Sequence, residues 1–146
     1  MTGLWKTVVA ALVGGFAIVA TQASAQNAPK VGDRIGDWVF NCRALSATET
    51  VCAVTQGIAD AKTKKQVLRL TVQKTGAPAT PFLHALLPQG VYLGENISGD
   101  IDQKTPLNFT WRRCTNNGCQ ASVKLDKGSI AAMKSGQKLD IKFKVQ

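Results

Sequence analysis

Apolar side chains recur at every second position over much of this chain, which restricts it to folds built from β-strands. The pattern is clearest in segments 66–74 and 138–145, where one set of alternate residues is apolar and the other is mainly polar or charged. Successive residues of a strand point to opposite faces, so alternation gives one apolar face and one wet face. Further strands are predicted at 38–43, 51–56 and 107–112. In the last segment, 138–145, the apolar set is expected to lie in the core.

Turn-forming residues separate the predicted strands. Clusters of Gly, Pro, Ser, Asp and Asn lie at 76–81, 88–90, 98–100 and 116–118, and these residue types favour tight turns because they suit the backbone angles that turns need. The aspartates of segment 98–102 are interpreted as part of a solvated turn. Many short strands joined in this way favour an all-β sandwich or barrel.

One short helix is predicted close to the last strand. It covers about Ser129 to Lys134, with Asp126 or Ser129 near its start and Gly136 as its stop. Side-chain oxygens of Asp and Ser satisfy the free backbone N–H groups at a helix start, and Gly commonly follows a helix end.

The first 25 residues have the composition of a secretory signal peptide. Lys6 precedes an apolar run at 8–20, and Ala23-Ser24-Ala25 follows it; a cationic start, an apolar centre and an A-x-A ending characterise such peptides. Cleavage is expected between Ala25 and Gln26. The run is shorter than the roughly 20 residues that span a bilayer, so no integral membrane segment is expected after cleavage. The predicted location is the periplasm, with outer-membrane association and secretion left open.

The remaining residues are enough for one domain. The predicted organisation is a signal peptide at 1–25, a flexible N-terminal lead at 26–34 and a single β-sandwich domain at 35–146.

Four cysteines follow the predicted signal peptide: Cys42, Cys52, Cys114 and Cys119. An even number of cysteines in a small exported domain predicts two disulfides. Three pairings are possible, and closeness along the chain favours Cys42 with Cys52 and Cys114 with Cys119. The Asn-Gly sequence at 117–118, a hairpin signal, supports the second pair.

The chain is basic, with 18 Lys and Arg against 9 Asp and Glu and a formal net charge of +9. Such a charge favours anionic partners. Export makes nucleic acid an unsuitable one, so the predicted partners are an anionic envelope or host-cell surface, or a periplasmic protein. Charge that serves solubility alone is an equally acceptable interpretation.

The sequence predicts no catalytic residue, no metal ligand set and no cofactor. His84 is the only histidine, lies among apolar neighbours and is interpreted as a satisfied core or edge residue. The spacings between cysteines do not match those of zinc sites, and the motifs of phosphate-binding loops and hydrolase nucleophiles are missing. A hydrolase using His84 remains as an alternative.

The candidate contact residues are Tyr92, Arg112 and Arg113. Tyr92 lies opposite Val91 and Leu93 in the alternation and is expected at the surface, where aromatic side chains often mark interfaces. Trp38 and Trp111, in contrast, fall on the core side of their strands.

Four stretches resemble the invasion-associated locus B family. Residues 36–42 (GDWVFNC) and 52–56 (CAVTQ) are similar to the opening of that family, and 87–93 (LPQGVYL) is similar to its central L-P-x-G-V element. Residues 114–119 match its second cysteine pair, and 133–136 match its short helix before the closing strand.

The resemblance implies an exported protein with an immunoglobulin-like β-sandwich, one short helix and two disulfides, and without catalytic residues or a cofactor. A founding member of the family is linked to entry of a pathogen into red blood cells. The expected function is therefore a non-catalytic envelope protein that binds or contacts host cells, with a housekeeping periplasmic assembly or chaperone-like role as the alternative. Relatives tend to continue beyond the Val145-Gln146 of this chain, so a shorter member or a truncated reading frame is expected.

Overall fold

The structure is a computed structural model that describes residues 28–146. The predicted signal peptide and the Ala25–Gln26 cleavage site lie outside the described residues. The described part contains these elements in chain order: β1 (Arg34–Ile35), β2 (Trp38–Ala44), β3 (Thr50–Ala59), β4 (Gln66–Thr75), β5 (Thr80–Leu87), β6 (Ser98–Ile101), β7 (Thr105–Asn108), β8 (Thr110–Thr115), β9 (Gly118–Lys124), α1 (Lys127–Ser135) and β10 (Leu139–Lys142).

The strands form two antiparallel sheets of unequal size. The large sheet has seven strands in the order β1-β2-β3-β4-β5-β9-β8, and the small sheet has the order β10-β6-β7. With one short helix, this arrangement confirms the predicted all-β, immunoglobulin-like sandwich.

The core lies between the large sheet and the elements that cover one of its faces. Alternate residues of β4 and β5 supply it, among them Leu70 at 2% exposure and Leu83 at 0%. The small sheet contributes Ile101 and Leu107, each no more than 3% exposed. Trp38 and Trp111 pack against this core, as their positions in the alternation predicted.

The segment predicted as one strand at 107–112 belongs to both sheets. Leu107 pairs within the small sheet, whereas Trp111 pairs with Ala121 in the large sheet. Phe109 lies between the two strands and is 1% exposed. The alternation therefore identified the buried side chains correctly, but a single strand was wrong because the chain crosses from one sheet to the other at Phe109.

The last predicted strand is shorter than its sequence pattern. β10 ends at Lys142, and Phe143 and Val145 are 37% and 63% exposed. β10 forms an edge of the small sheet, and beyond it Val145 forms an isolated bridge with Val91. The expectation that Phe143 and Val145 lie in the core was wrong, because the layer that buries alternate side chains elsewhere does not cover this end.

The helix forms where it was predicted and is capped at both ends. The Asp126 carboxylate accepts a hydrogen bond from the Ser129 N–H at 2.6 Å, and the Gly136 N–H donates to the Ala132 carbonyl at 2.7 Å. Of the aspartates interpreted as part of a solvated turn, Asp100 lies in β6 instead, whereas Asp102 lies half-buried in the turn that follows β6. Its carboxylate accepts hydrogen bonds from the backbone N–H groups of Gln137 and Lys138, and thereby fixes the connection between α1 and β10.

Residues 26–34 were predicted to form a flexible lead, but the segment is paired with β2 from Gly32 onwards. The Gly32 N–H donates to the Phe40 carbonyl at 2.8 Å, and the Phe40 N–H donates to the Asp33 carbonyl at 2.9 Å. β1 then begins at Arg34. These hydrogen bonds place the start of the paired domain a few residues before 35.

Each disulfide joins two residues directly opposite each other in neighbouring strands. Cys42 and Cys52 face each other across β2 and β3, and Cys114 and Cys119 do so across β8 and β9, each pair with a Cα–Cα distance of 4.0 Å. The prediction of two disulfides is confirmed, in the pairing that closeness along the chain favoured.

Candidate functional site

The two faces of the large sheet have opposite chemical character. Its inner face presents the apolar core described above. Its outer face carries the intervening residues, so that Thr71, His84 and Ser122 lie side by side on β4, β5 and β9. One strand register therefore produces both a packed face and a polar face.

The outer face is positively charged. None of the seven strands of the large sheet contains Asp or Glu, as their sequences show. In the described part of the chain, the ion pairs join Lys138 to Asp140 and Lys144 to Glu95, all outside this sheet. The basic side chains of the outer face are Arg34, Arg43, Arg69, Arg112, Arg113 and Lys124.

A β-bulge brings two of these arginines together. The register between β8 and β9 shifts between Trp111 and Arg113, which makes Arg112 an extra residue in its strand. As a result, Arg113 lies opposite Gln120, while the Arg112 Nε donates to the Ser122 Oγ at 2.6 Å. Both partners belong to the outer face.

A cleft of about 300 Å³ opens on the outer face. Three arginines line it, Arg43 from β2, Arg69 from β4 and Arg113 from β8. Between them lie polar and apolar side chains, which include Thr71, Gln73, His84, Leu86 and Gln120. The cleft therefore combines several cationic side chains with hydroxyl and amide groups, and none of its lining residues carries a carboxylate.

His84 forms part of the lining of this cleft. Its ring stacks on Phe82, with 6.0 Å between ring centroids, and its Nδ1 lies 3.4 Å from the Gln120 Nε2. Its Nε2 is buried and has no hydrogen-bond partner within residues 28–146. Desolvation, and secondarily the nearby Arg112 charge, lower the pKa of His84 below its usual value, so the ring is neutral at pH 7.

The interpretation of His84 as a satisfied residue was therefore wrong at Nε2. Its position in the alternation placed it on a sheet face, but the sequence could not show that Gln120, the partner of Nδ1, comes from a distant strand.

The residues around His84 do not form a nucleophile–base pair. Two hydroxyls flank His84 in the sheet, those of Thr71 and Ser122. The Thr71 hydroxyl pairs with the Thr55 hydroxyl, the Ser122 oxygen accepts from Arg112, and His84 contacts Gln120 instead. Activation of a serine requires a hydrogen bond to the base and a group that orients the base. Among the described residues, no group of three His, Cys, Asp or Glu side chains is placed to hold a metal ion.

The structure does not bring the three predicted contact residues together. Arg112 and Arg113 lie on the outer face of the large sheet, whereas the Tyr92 N–H donates to the Lys144 carbonyl beyond the end of β10. Tyr92 is 40% exposed, and the Lys144 Nζ lies 5.0 Å from the centre of its ring. The role of all three in binding stays a prediction.

Sequence reasoning missed Arg43 and Arg69 as parts of a candidate site. Both fall on the wet side of a predicted strand, and those strands contain no acidic residue; this was the available signal. The cleft itself depends on β9 inserting between β5 and β8, and the local sequence pattern does not specify that order.

Fold and site together define a class: a β-sandwich stabilised by two cross-strand disulfides, with one apolar and one basic face on its large sheet. In residues 28–146, no helix is long and apolar enough to cross a membrane.

The chain belongs to the invasion-associated locus B family. The model of the family described as "Invasion associated locus B (IalB) protein" matches residues 38–144. Two curated relatives, the invasion protein B homologs of two Brucella abortus strains, are each 30% identical to it over 105 residues, which is 72% of this chain. This chain spans 60% of the length of those relatives.

A solved structure supports the fold. The crystal structure of invasion associated protein B from Bartonella henselae superposes with a TM-score of 0.66 at 20% identity, over 77% of this chain and 76% of that one. At this level of identity the likeness concerns the fold and not the site.

Proposed function

We propose that this protein is an exported, non-catalytic binding protein that attaches to an anionic envelope or host-cell surface through the outer face of its large sheet. The observation that carries the proposal is the charge of that face: six basic side chains, on seven strands that contain no acidic residue.

The positive charge of the outer face forms no ion pair within the described part of the molecule, so it is available to an external partner. In the described chain, the carboxylates lie in turns, in the cap of α1 and in the small sheet, and the ion pairs there do not involve the outer face. A surface of one sign attracts polyanions and accelerates their encounter with the protein. This attraction is screened over roughly 10 Å at 0.1 M salt, so binding is expected to weaken as salt rises.

Two further observations support the proposed export and the proposed role of this protein. The two disulfides suit an oxidising compartment, which agrees with the predicted signal peptide and with a periplasmic, outer-membrane or secreted location. The curated relatives from Brucella abortus are named as invasion protein B homologs, and we extend a role in invasion to this chain on that basis.

The proposal is tested by retention of the protein on surfaces of known charge. Protein purified from cells that express the full chain is mixed with vesicles of phosphatidylcholine alone, or with vesicles that contain 30% phosphatidylglycerol, and with intact cells. We expect retention on the anionic vesicles and on cells at 50 mM NaCl, and its loss at 500 mM. Equal retention on neutral vesicles, or retention indifferent to salt, contradicts the proposal. Release of a single envelope protein together with this chain from its own cells would favour the periplasmic assembly role instead.

A further inference from the structure

We propose that the cleft between Arg43, Arg69 and Arg113 binds an acidic sugar: a saccharide unit that carries a carboxylate, phosphate or sulfate group. This inference rests on the proposed function, because it names the chemical group by which an anionic surface would be recognised. Beyond general charge attraction, the inference assigns a defined site that selects acidic sugars over other anions.

The arginines provide the anion-binding part of the site. Arg69 and Arg113 lie at the same level of the sheet, since Arg69 pairs with Leu86, Leu86 with Gln120 and Gln120 with Arg113. Their Cα atoms are separated by three strand spacings, roughly 14 Å at about 4.8 Å each. Both residues line the same cleft, and their strands lie on opposite sides of β5 and β9.

These guanidinium groups retain donors for a ligand. The Arg69 Nη2 donates to the Gln66 Oε1 at 3.1 Å, and its other nitrogens make no hydrogen bond to another side chain in the described structure. Arg113 takes part in no side-chain hydrogen bond or ion pair there. Planar guanidinium groups match the two oxygens of a carboxylate, phosphate or sulfate with paired hydrogen bonds.

The remainder of the lining favours a sugar over a simpler anion. Between the arginines, Thr71, Gln73 and Gln120 offer a hydroxyl and two amides, which both donate and accept hydrogen bonds. Leu86 lies between Arg69 and Gln120 across the sheet and provides an apolar surface for the C–H groups of a sugar ring. A lipid phosphate or a free inorganic ion can accept hydrogen bonds from some of these groups, but it presents no sugar hydroxyls and no ring to pack on Leu86.

The size of the cleft indicates one or two sugar rings. Its volume of about 300 Å³ lies at the lower end of the range for small-molecule sites, roughly 300–1,000 Å³. A longer polysaccharide would therefore place one acidic unit in the cleft. Its neighbouring units would extend over the rest of the basic face towards Arg112 and Lys124.

Calorimetric titration of the purified full-chain product tests this inference. The probes are a trigalacturonate and a heparin-derived disaccharide, which carry carboxylate and sulfate. Maltotriose, inorganic phosphate and a hexaglutamate peptide are the comparison ligands. We expect both acidic sugars to bind at 100 mM NaCl and maltotriose not to bind. Phosphate and hexaglutamate should bind at least about tenfold more weakly than the sugars, because neither combines an acidic group with sugar hydroxyls and a ring that packs on Leu86.

Variants of equal charge separate the cleft from net charge. Arg69→Gln combined with Arg113→Gln removes two charges from the cleft, and we expect sugar affinity to fall about tenfold or more. Lys62→Gln combined with Lys65→Gln removes two charges from the exposed turn between β3 and β4, and we expect a change of less than about twofold, the size of a screened long-range effect. If the double arginine variant does not fold, Arg113→Lys keeps the charge, loses the planar fork and should still weaken binding several-fold.

The outcomes distinguish this inference from the function on which it rests. If the acidic sugars fail to bind while the protein stays on anionic vesicles, the sugar site is wrong and the surface-binding function stands. If phosphate or hexaglutamate binds as tightly as the sugars, the cleft is a general anion site or an acidic-peptide site. If the two double variants lose affinity equally, net charge and not the cleft is responsible. If the wild-type protein neither binds the acidic sugars nor stays on anionic vesicles, both proposals are wrong.

Discussion

The two faces of the large sheet are formed by the same strands and differ in chemical composition. On β5, Leu83 is 0% exposed in the core, whereas the next residue, His84, lines the arginine cleft on the opposite side. Because strand residues alternate in direction, each strand can supply packing on one side and charge on the other. We therefore expect changes on the inner face to alter stability, and changes on the outer face to alter binding.

The largest expected effect concerns the inner face. Leu83→Ala removes a fully buried side chain from a central strand, and such truncations cost about 2–5 kcal/mol of unfolding free energy through lost burial and a residual cavity. Leu86→Ala is the matched control on the same strand, since Leu86 faces the cleft and is partly exposed. It should cost about 1 kcal/mol or less. Urea denaturation measures both, and equal losses would show that the two faces do not differ in their contribution to stability.

An intermediate effect is expected from the pH dependence of His84. Burial lowers the pKa of His84 in the folded protein, so the unfolded chain takes up a proton first as the pH falls below about 6.5. The unfolded state then binds more protons than the folded state, and stability declines with decreasing pH until the folded protein is also protonated.

Comparison with His84→Gln isolates this contribution. Urea midpoints at pH 7.5 and pH 5.5 should fall more in the wild-type protein than in the variant, which retains an amide at the position of the ring. Arg112→Gln removes the secondary cause of the shift and should reduce the decline without abolishing it. Identical declines in all three proteins would indicate that His84 is not the group responsible.

The smallest effect on stability is expected from Arg113. Its exposed side chain forms no ion pair in the described structure, and it has like charges rather than opposite charges as its neighbours on the sheet. Arg113→Gln should change the unfolding free energy by no more than about 0.5 kcal/mol, as measured by urea denaturation. A loss clearly above 1 kcal/mol would make Arg113 a structural residue and would weaken the separation of the two faces.

The sequence predicted the local features of the fold better than their assembly. The alternation around Leu68 and Leu70 predicted their burial, and the cap residues Asp126 and Gly136 predicted the ends of α1, because these signals act within a few residues. The crossing between sheets at Phe109 was not predictable in this way. It depends on which distant strands pair, and the alternation continues unchanged through it.

The candidate site shows the same limit. Arg112 and Arg113 were recognised as candidate contacts from the sequence. Strand pairing and a bulge, however, determine that Arg112 donates to Ser122 and that Arg113 lies opposite Gln120. Tyr92 was expected at the surface and is exposed, yet it does not line the cleft. Residue type and alternation indicated which side chains are exposed, and the order of the strands determined which of them meet.

A residue-by-residue map of ligand contacts tests the central claim most directly. The isotope-labelled protein is titrated with trigalacturonate, and the backbone amide shifts are followed by NMR. The account predicts shifts that saturate together and are largest at Arg69, Leu86, Arg113 and Gln120, with little change at the inner-face residues Leu70 and Leu83. Shifts concentrated in the lysine-rich turn at 62–65, or in segment 138–144, would place the binding surface elsewhere and contradict the claim.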